Sequence, residues 1–202
     1  MRRFYTGLRP PEGQDIFHCP LIRIEPRPLL DPLFEKLAYA THLIFTSQTT
    51  VDIFVQYLPN RLLIEGKTWL AVGEKTQSSL HKQRIENVLV PEVETSEGLI
   101  ELIESLNLKK PYFLWPHSAL SRRVIPNYLE QNQHPFFEYV LYDTVTVKPD
   151  PLPDLEDFDE IIFTSPSTVQ GFIEAYGELP MDKILTPIGP VTKENLLNFK
   201  IL

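Results

Sequence analysis

The chain has a single cysteine, Cys19, among 202 residues. No internal disulfide can form and no Cys-rich metal site is possible, which is the composition of a protein kept in a reducing compartment, so a cytoplasmic location is expected. No apolar run approaches the roughly 18 residues needed to cross a bilayer, so no membrane contact is expected. The opening residues Met1–Thr6 carry two arginines, but Gly7-Leu8-Arg9-Pro10-Pro11 interrupts any apolar stretch behind them, which argues against a secretory leader. A basic excess is also missing. The net charge is −8, and residues 150–160 alone hold six acids and no base. Without a basic face, nucleic-acid binding is not expected. A small anionic ligand held by local dipoles is still compatible with that balance.

What is present is a globular composition, 43% hydrophobic and 23% charged, with 19 prolines that punctuate segments and form no tract. Short apolar runs predict strands at Arg2–Thr6, Phe17–Ile24, His42–Thr46, Thr68–Val72, Asn87–Val90, Tyr112–Trp115, Phe137–Val147, Glu160–Thr164 and Ile184–Ile188. Amphipathic stretches lie between them. Ser96–Leu106 sets Leu99, Ile103 and Leu106 on one face and Glu97, Glu101 and Glu104 on another; Ser121–Gln131 groups Val124, Ile125, Tyr128 and Leu129 in the same way. Strand–helix alternation predicts an α/β fold with parallel sheets.

An internal repeat refines this. Residues 43–54, Leu-Ile-Phe-Thr-Ser-Gln-Thr-Thr-Val-Asp-Ile-Phe, recur at 161–172 as Ile-Ile-Phe-Thr-Ser-Pro-Ser-Thr-Val-Gln-Gly-Phe, with seven of twelve positions identical. Val72-Gly73-Glu74-Lys75-Thr76 follows the first copy and Ile188-Gly189-Pro190-Val191-Thr192 the second. Two related α/β units are therefore expected, too far apart for a solenoid period. With Pro26, Pro28 and Pro32 marking one crossing and the Val-, Tyr- and Thr-rich run at 137–147 the other, residues 30–139 are expected to form a middle lobe. Residues 1–29 and 148–202 would form a discontinuous terminal lobe, with 140–147 as a linker strand.

Each repeat places Thr-Ser at the carboxyl end of a strand, where open parallel sheets bind ligands and where those hydroxyls also cap the next helix. Gly73 and Gly189 let backbone N–H groups come close to a ligand, and Thr76 and Thr192 stand in the first helical turn. Four helix N-termini, each with free donors and about half a positive charge, would make an anion-binding cleft without lysine or arginine. Ordinary capping explains any one junction; the duplicated order favours ligand binding, with an ancient duplication kept for folding as the other reading. A third strand–loop–helix start holds His117, Ser118, Arg122 and Arg123. Its arginines either fork onto ligand carboxylates or form an ion-paired helix face, and His117 reads as a loop histidine. Tyr142 is either a β-favouring aromatic or a proton-donating phenol, and position alone leaves both open.

Six segments in order, Ile44–Ser47 with Val51, Val72–Thr76, Pro116–Arg122, Val140–Thr144, Phe163–Ser167 and Ile188–Thr192, resemble the uroporphyrinogen-III synthase family over about residues 40–197. The resemblance implies two similar flavodoxin-like lobes joined by a two-stranded β linker, acting as a monomer without cofactor or metal. It implies a cyclising hydro-lyase of tetrapyrrole (haem) biosynthesis whose substrate is hydroxymethylbilane, a linear tetrapyrrole with eight carboxylates. Loss of the hydroxyl as water gives an azafulvene; the last ring attacks through its substituted carbon, and the spiro intermediate reopens and closes with that ring inverted. By the same resemblance Tyr142 protonates the leaving hydroxyl. Thr46, Ser47, Gly73, Thr76, Ser118, Arg122, Thr164, Ser165, Ser167, Gly189 and Thr192 match substrate-lining positions. The family pattern begins with a strand ending in Thr-Arg and then a helix; here Gly7 follows Thr6 and the next strand is near, so a terminal lobe trimmed at both ends is expected. A non-catalytic two-lobed module holding an acidic tetrapyrrole or another small anion is the alternative, and a two-lobed receptor for a different ligand a third reading.

Overall fold

The computed structural model describes residues 1–28 and 30–200. It divides into two units, Pro26–Asp143 and Met1–Glu25 with Thr144–Leu202. Both are mixed α/β with parallel strand pairing. The chain opens with β1 (Arg3–Tyr5), β2 (Phe17–His18) and β3 (Ile22–Pro26). The middle unit then adds α1 (Asp31–Tyr39), β4 (His42–Phe45), α2 (Gln48–Gln56), β5 (Thr68–Ala71), α3 (Glu74–Lys82), β6 (Val88–Leu89), α4 (Ser96–Ser105), β7 (Phe113–Ser118), α5 (Val124–Gln131) and β8 (Phe136–Thr146). The terminal unit is completed by β9 (Glu160–Phe163), α6 (Pro166–Tyr176), β10 (Ile184–Pro187) and α7 (Pro190–Lys200).

The six-stranded sheet runs β3-β8-β7-β4-β5-β6. Its register pairs His42 with Thr68 and Phe45 with Ala71, so β4 and β5 end level and the segments after them emerge side by side. β4 is apolar and fully buried at Leu43, Ile44 and Phe45, as a strand covered on both faces requires. One face packs Ile44, Leu70 and Trp115 against Leu99 and Ile103 of α4 and Ile125 and Leu129 of α5. Phe45 stacks on Trp69 with ring centroids 5.3 Å apart and meets Phe54 edge-on at 5.3 Å.

The four-stranded sheet runs β10-β9-β1-β2. Tyr5 pairs with Ile162 and Phe163 with Pro187, so these strands also end together. Phe4, Leu21, Phe158, Ile161, Phe163, Val169, Phe172 and Leu196 form its core. β1 and β2 pair in parallel with no helix among residues 6–16.

Three local expectations differ from the structure. The apolar run 17–24 is not one strand: Pro20, which has no N–H to give to a ladder, separates β2 from β3, and the two belong to different sheets. Pro32 lies in the first turn of α1, a helix that the proline cluster concealed; proline is tolerated there because that N–H has no helical partner. The helix expected from Ser121 begins at Val124.

Candidate functional site

The middle unit carries one constellation. Ser47 follows β4 as the N-cap of α2, its Oγ accepting from Thr50 N at 3.1 Å. The same Oγ lies 2.7 Å from Thr50 Oγ1 and 3.1 Å from the Tyr142 hydroxyl. Tyr142, on β8, is only 5% exposed. Thr46 precedes Ser47 and is half-buried. Ser118 ends β7 directly beside Tyr142 in the register, and Ala119 N donates to the Tyr142 carbonyl at 3.0 Å. Gln48 Nε2 donates to Lys75 O at 3.2 Å, tying the first turn of α2 to that of α3. Gly73 is the N-cap of α3, and Thr76, in that first turn, is 4% exposed.

Two carboxylates from one short segment, unremarkable in the sequence, already engage this constellation. Glu94 Oε1 accepts from Glu74 N at 3.1 Å, and a Cβ on Gly73 would stand 2.3 Å from Glu94 Oε2. The glycine is thus needed for the carboxylate to approach the helix start. Glu97 takes both arms of Arg122, at 2.9 and 3.2 Å, and this exposed fork holds the Glu97 carboxyl below its ordinary range. Arg122 therefore has an internal partner, as an ion-paired helix face would. Arg123 is likewise paired, with Glu130 at 3.0 Å and Glu138 at 3.2 Å.

The terminal unit repeats the junction. Thr168 Oγ1 accepts from Thr164 N at 3.1 Å and from Ser165 N at 3.2 Å, while Ser165 and Ser167 hydroxyls are 2.8 Å apart at the start of α6. Gly7 is pressed against Thr164: a Cβ there would be 2.4 Å from Thr164 Cγ2. Gly189 has φ +92, a left-handed conformation that favours glycine, and stands just before Pro190 opens α7. Thr192 is 3% exposed.

His117 is not a loop residue. It lies inside β7, buried and stacked on Trp115 at a centroid distance of 4.0 Å. Burial pushes the His117 and His42 imidazoles below the ordinary histidine value of about 6.5. Both rings protonate more readily in the unfolded chain, so stability is complete above about pH 6.5 and falls as pH drops towards the folded values. Glu97 and Asp143 are held down by hydrogen bonds from Arg122 and Arg27, so they withdraw stability only below about pH 4.5. Thermal unfolding is expected to show a lower Tm at pH 5 than at pH 7.5, with a His42→Gln, His117→Asn double variant flattening that difference. An unchanged slope in the double variant would remove histidine as its cause.

The family model described as Uroporphyrinogen-III synthase HemD matches residues 11–201. A uroporphyrinogen-III synthase of Chlorobaculum parvum is 28% identical over 189 residues, covering 84% of this chain and 74% of that protein. The crystal structure of uroporphyrinogen-III synthetase from Helicobacter pylori superposes with a TM-score of 0.72 at 20% identity, over 98% of this chain and 89% of the other. A mutant uroporphyrinogen III synthase of Thermus thermophilus gives 0.63 at 18% identity over the same shares. The two superpositions show a shared fold.

Proposed function

The chain belongs to the uroporphyrinogen-III synthase family, and from that premise we propose that it is a uroporphyrinogen-III synthase, cyclising hydroxymethylbilane with inversion of the last pyrrole ring. It works in haem and other tetrapyrrole biosynthesis, in the cytoplasm, as a monomer. Each unit is one flavodoxin-like lobe: residues 30–139 form the middle lobe, 1–29 with 148–202 the trimmed terminal lobe, and 140–147 part of a two-stranded linker.

The single observation that carries the mechanism is the 3.1 Å contact of the Tyr142 hydroxyl with Ser47 Oγ. The pyrrole nitrogen lone pair pushes out the hydroxyl of the substrate's hydroxymethyl group. Tyr142 gives its proton to that oxygen, so the C–O bond breaks with release of water. Ser47 Oγ accepts from Thr50 N, which leaves its own hydrogen free to turn towards Tyr142 and stabilise the phenolate left behind. The azafulvene is then attacked by the substituted carbon of the last ring. The spiro intermediate opens and recloses, and the phenolate recovers a proton as the final pyrrole loses its own.

Closure of the open chain is intrinsically easy, so the protein's main contribution is to bend the substrate into the spiro-forming geometry. We assign the substrate carboxylates to the helix starts at Thr46–Ser47, Gly73–Thr76, Thr164–Ser167 and Gly189–Thr192, and to Ser118. These supply mostly backbone donors, with Lys75 in the first turn of α3 the one cation within the four segments. Arg122 joins them by exchanging Glu97 for a substrate carboxylate, since one exposed fork accepts one carboxylate at a time. Added to hydroxymethylbilane, the protein must turn it over many times. Thermal stabilisation by uroporphyrinogen without turnover is the result that the non-catalytic reading predicts instead.

A further inference from the structure

His117 takes no part in the chemistry above, yet it is a buried polar side chain next to Ser118, the residue that pairs with Tyr142. It is 7% exposed, and its Nδ1 lies 2.8 Å from the Ser118 carbonyl. A carbonyl only accepts, so Nδ1 carries the hydrogen and the neutral tautomer is assigned by its partner. Nε2 is then a buried lone pair, and among the described residues it has no hydrogen-bond partner. Glu138 Oε2 is 3.8 Å from it, beyond bonding reach, and its carboxylate is held by Arg123. A ring fixed at one nitrogen and left bare at the other is costly to bury, so the bond it does make has to matter.

That bond falls on a slip in the strand ladder. His117 pairs with Val140, but Ser118 pairs with Tyr142, so Leu141 is the extra residue on β8. Such a bulge re-aims the side chains that follow it. Beyond the slip, Ala119 N holds the Tyr142 carbonyl, Ser121 N holds the Ser118 carbonyl, and the phenol reaches Ser47. The Ser118 carbonyl is thus gripped from both sides, by Ser121 N and by His117. We propose that His117 is a positioning residue: its Nδ1–H pins the Ser118 carbonyl at the β7–β8 slip and so sets the Tyr142 hydroxyl on Ser47. The catalytic consequence rests on the reading of Tyr142 as the acid; the positioning itself does not.

Three variants separate the donor from the ring. His117→Asn keeps an N–H donor at the Nδ1 position, His117→Gln moves it to the Nε2 position, and His117→Leu removes it at similar volume. With tyrosine labelled at Cζ, the Tyr142 resonance is the one missing from Tyr142→Phe. It is expected to shift in the Leu and Gln variants and to stay in place in the Asn variant. With hydroxymethylbilane, Leu and Gln are expected to lower kcat about tenfold at unchanged KM. The Asn variant should stay within about threefold of the parent, and His117→Leu should add no loss in a Tyr142→Phe background. An unmoved Tyr142 resonance in His117→Leu overturns the proposal whatever the rates. So does an Asn variant as impaired as Gln, a comparison that stands even if Leu fails to fold. Full activity of Tyr142→Phe, by contrast, overturns the acid assignment alone, because the resonance still reports where the phenol stands.

Discussion

Replacing Tyr142 with phenylalanine is expected to lower kcat for uroporphyrinogen III formation about 100-fold, at the low end of the range for general acids, with KM within about twofold. The drop corresponds to about 2.7 kcal/mol of transition-state stabilisation. The low end applies because an electron-rich pyrrole already expels hydroxide readily, so the acid assists a step that is not forbidding without it. KM should hold because the phenol is buried and bonded to Ser47, so it contributes little to gripping carboxylates in the ground state. Initial rates across a substrate series decide the matter. A fall confined to KM would make Tyr142 a binding residue, and a variant with full rate would remove it from the mechanism.

The second large effect concerns stability. Gly171→Ala is expected to destabilise the terminal unit by about 3 kcal/mol, the upper end of overpacking, although alanine is the better helix former by about 1 kcal/mol. Gly171 lies within α6, and a Cβ there would stand 2.5 Å from the Leu21 carbonyl oxygen. That carbonyl cannot retreat cheaply. It accepts from Val147 N at 2.8 Å, while Leu21 N donates to Thr6 O at 3.1 Å. Its neighbours on α6, Val169 and Phe172, are both fully buried in the core, so the helix cannot lift away without opening it. Denaturant unfolding monitored by amide exchange in β9 reads the loss directly. An alanine variant as stable as the parent would mean that α6 slides freely over Leu21.

Much of this is legible in the sequence, and for physical reasons. A strand buried on both faces must be apolar throughout, which marks Leu43-Ile44-Phe45 and Ile161-Ile162-Phe163. The hydroxyls behind them are the residue types that cap helices; Ser47 does so, and at α6 the N-cap Ser165 is joined by Thr168, which accepts from the Ser165 N–H. The spacing of Leu99 and Ile103 gave the buried face of α4. What stayed hidden depends on contacts that local pattern does not encode. Pro116 inside β7 reads as a strand end, yet it pairs with Tyr139 of β8, while β4 pairs with β7 only at Phe113 and Leu114. Glu94 and Glu97 look like two more surface acids, and only folding brings them to Gly73 and Arg122. His117 resembles a loop residue because the pairing that keeps β7 going past Pro116 is a property of two strands, and no single segment carries it.

Synthase activity is decided by the isomer formed. Incubating the purified protein with hydroxymethylbilane, oxidising the products and separating the uroporphyrin isomers should give predominantly type III, formed in proportion to protein added and faster than spontaneous closure. Type I alone, at the rate seen without protein, would contradict it.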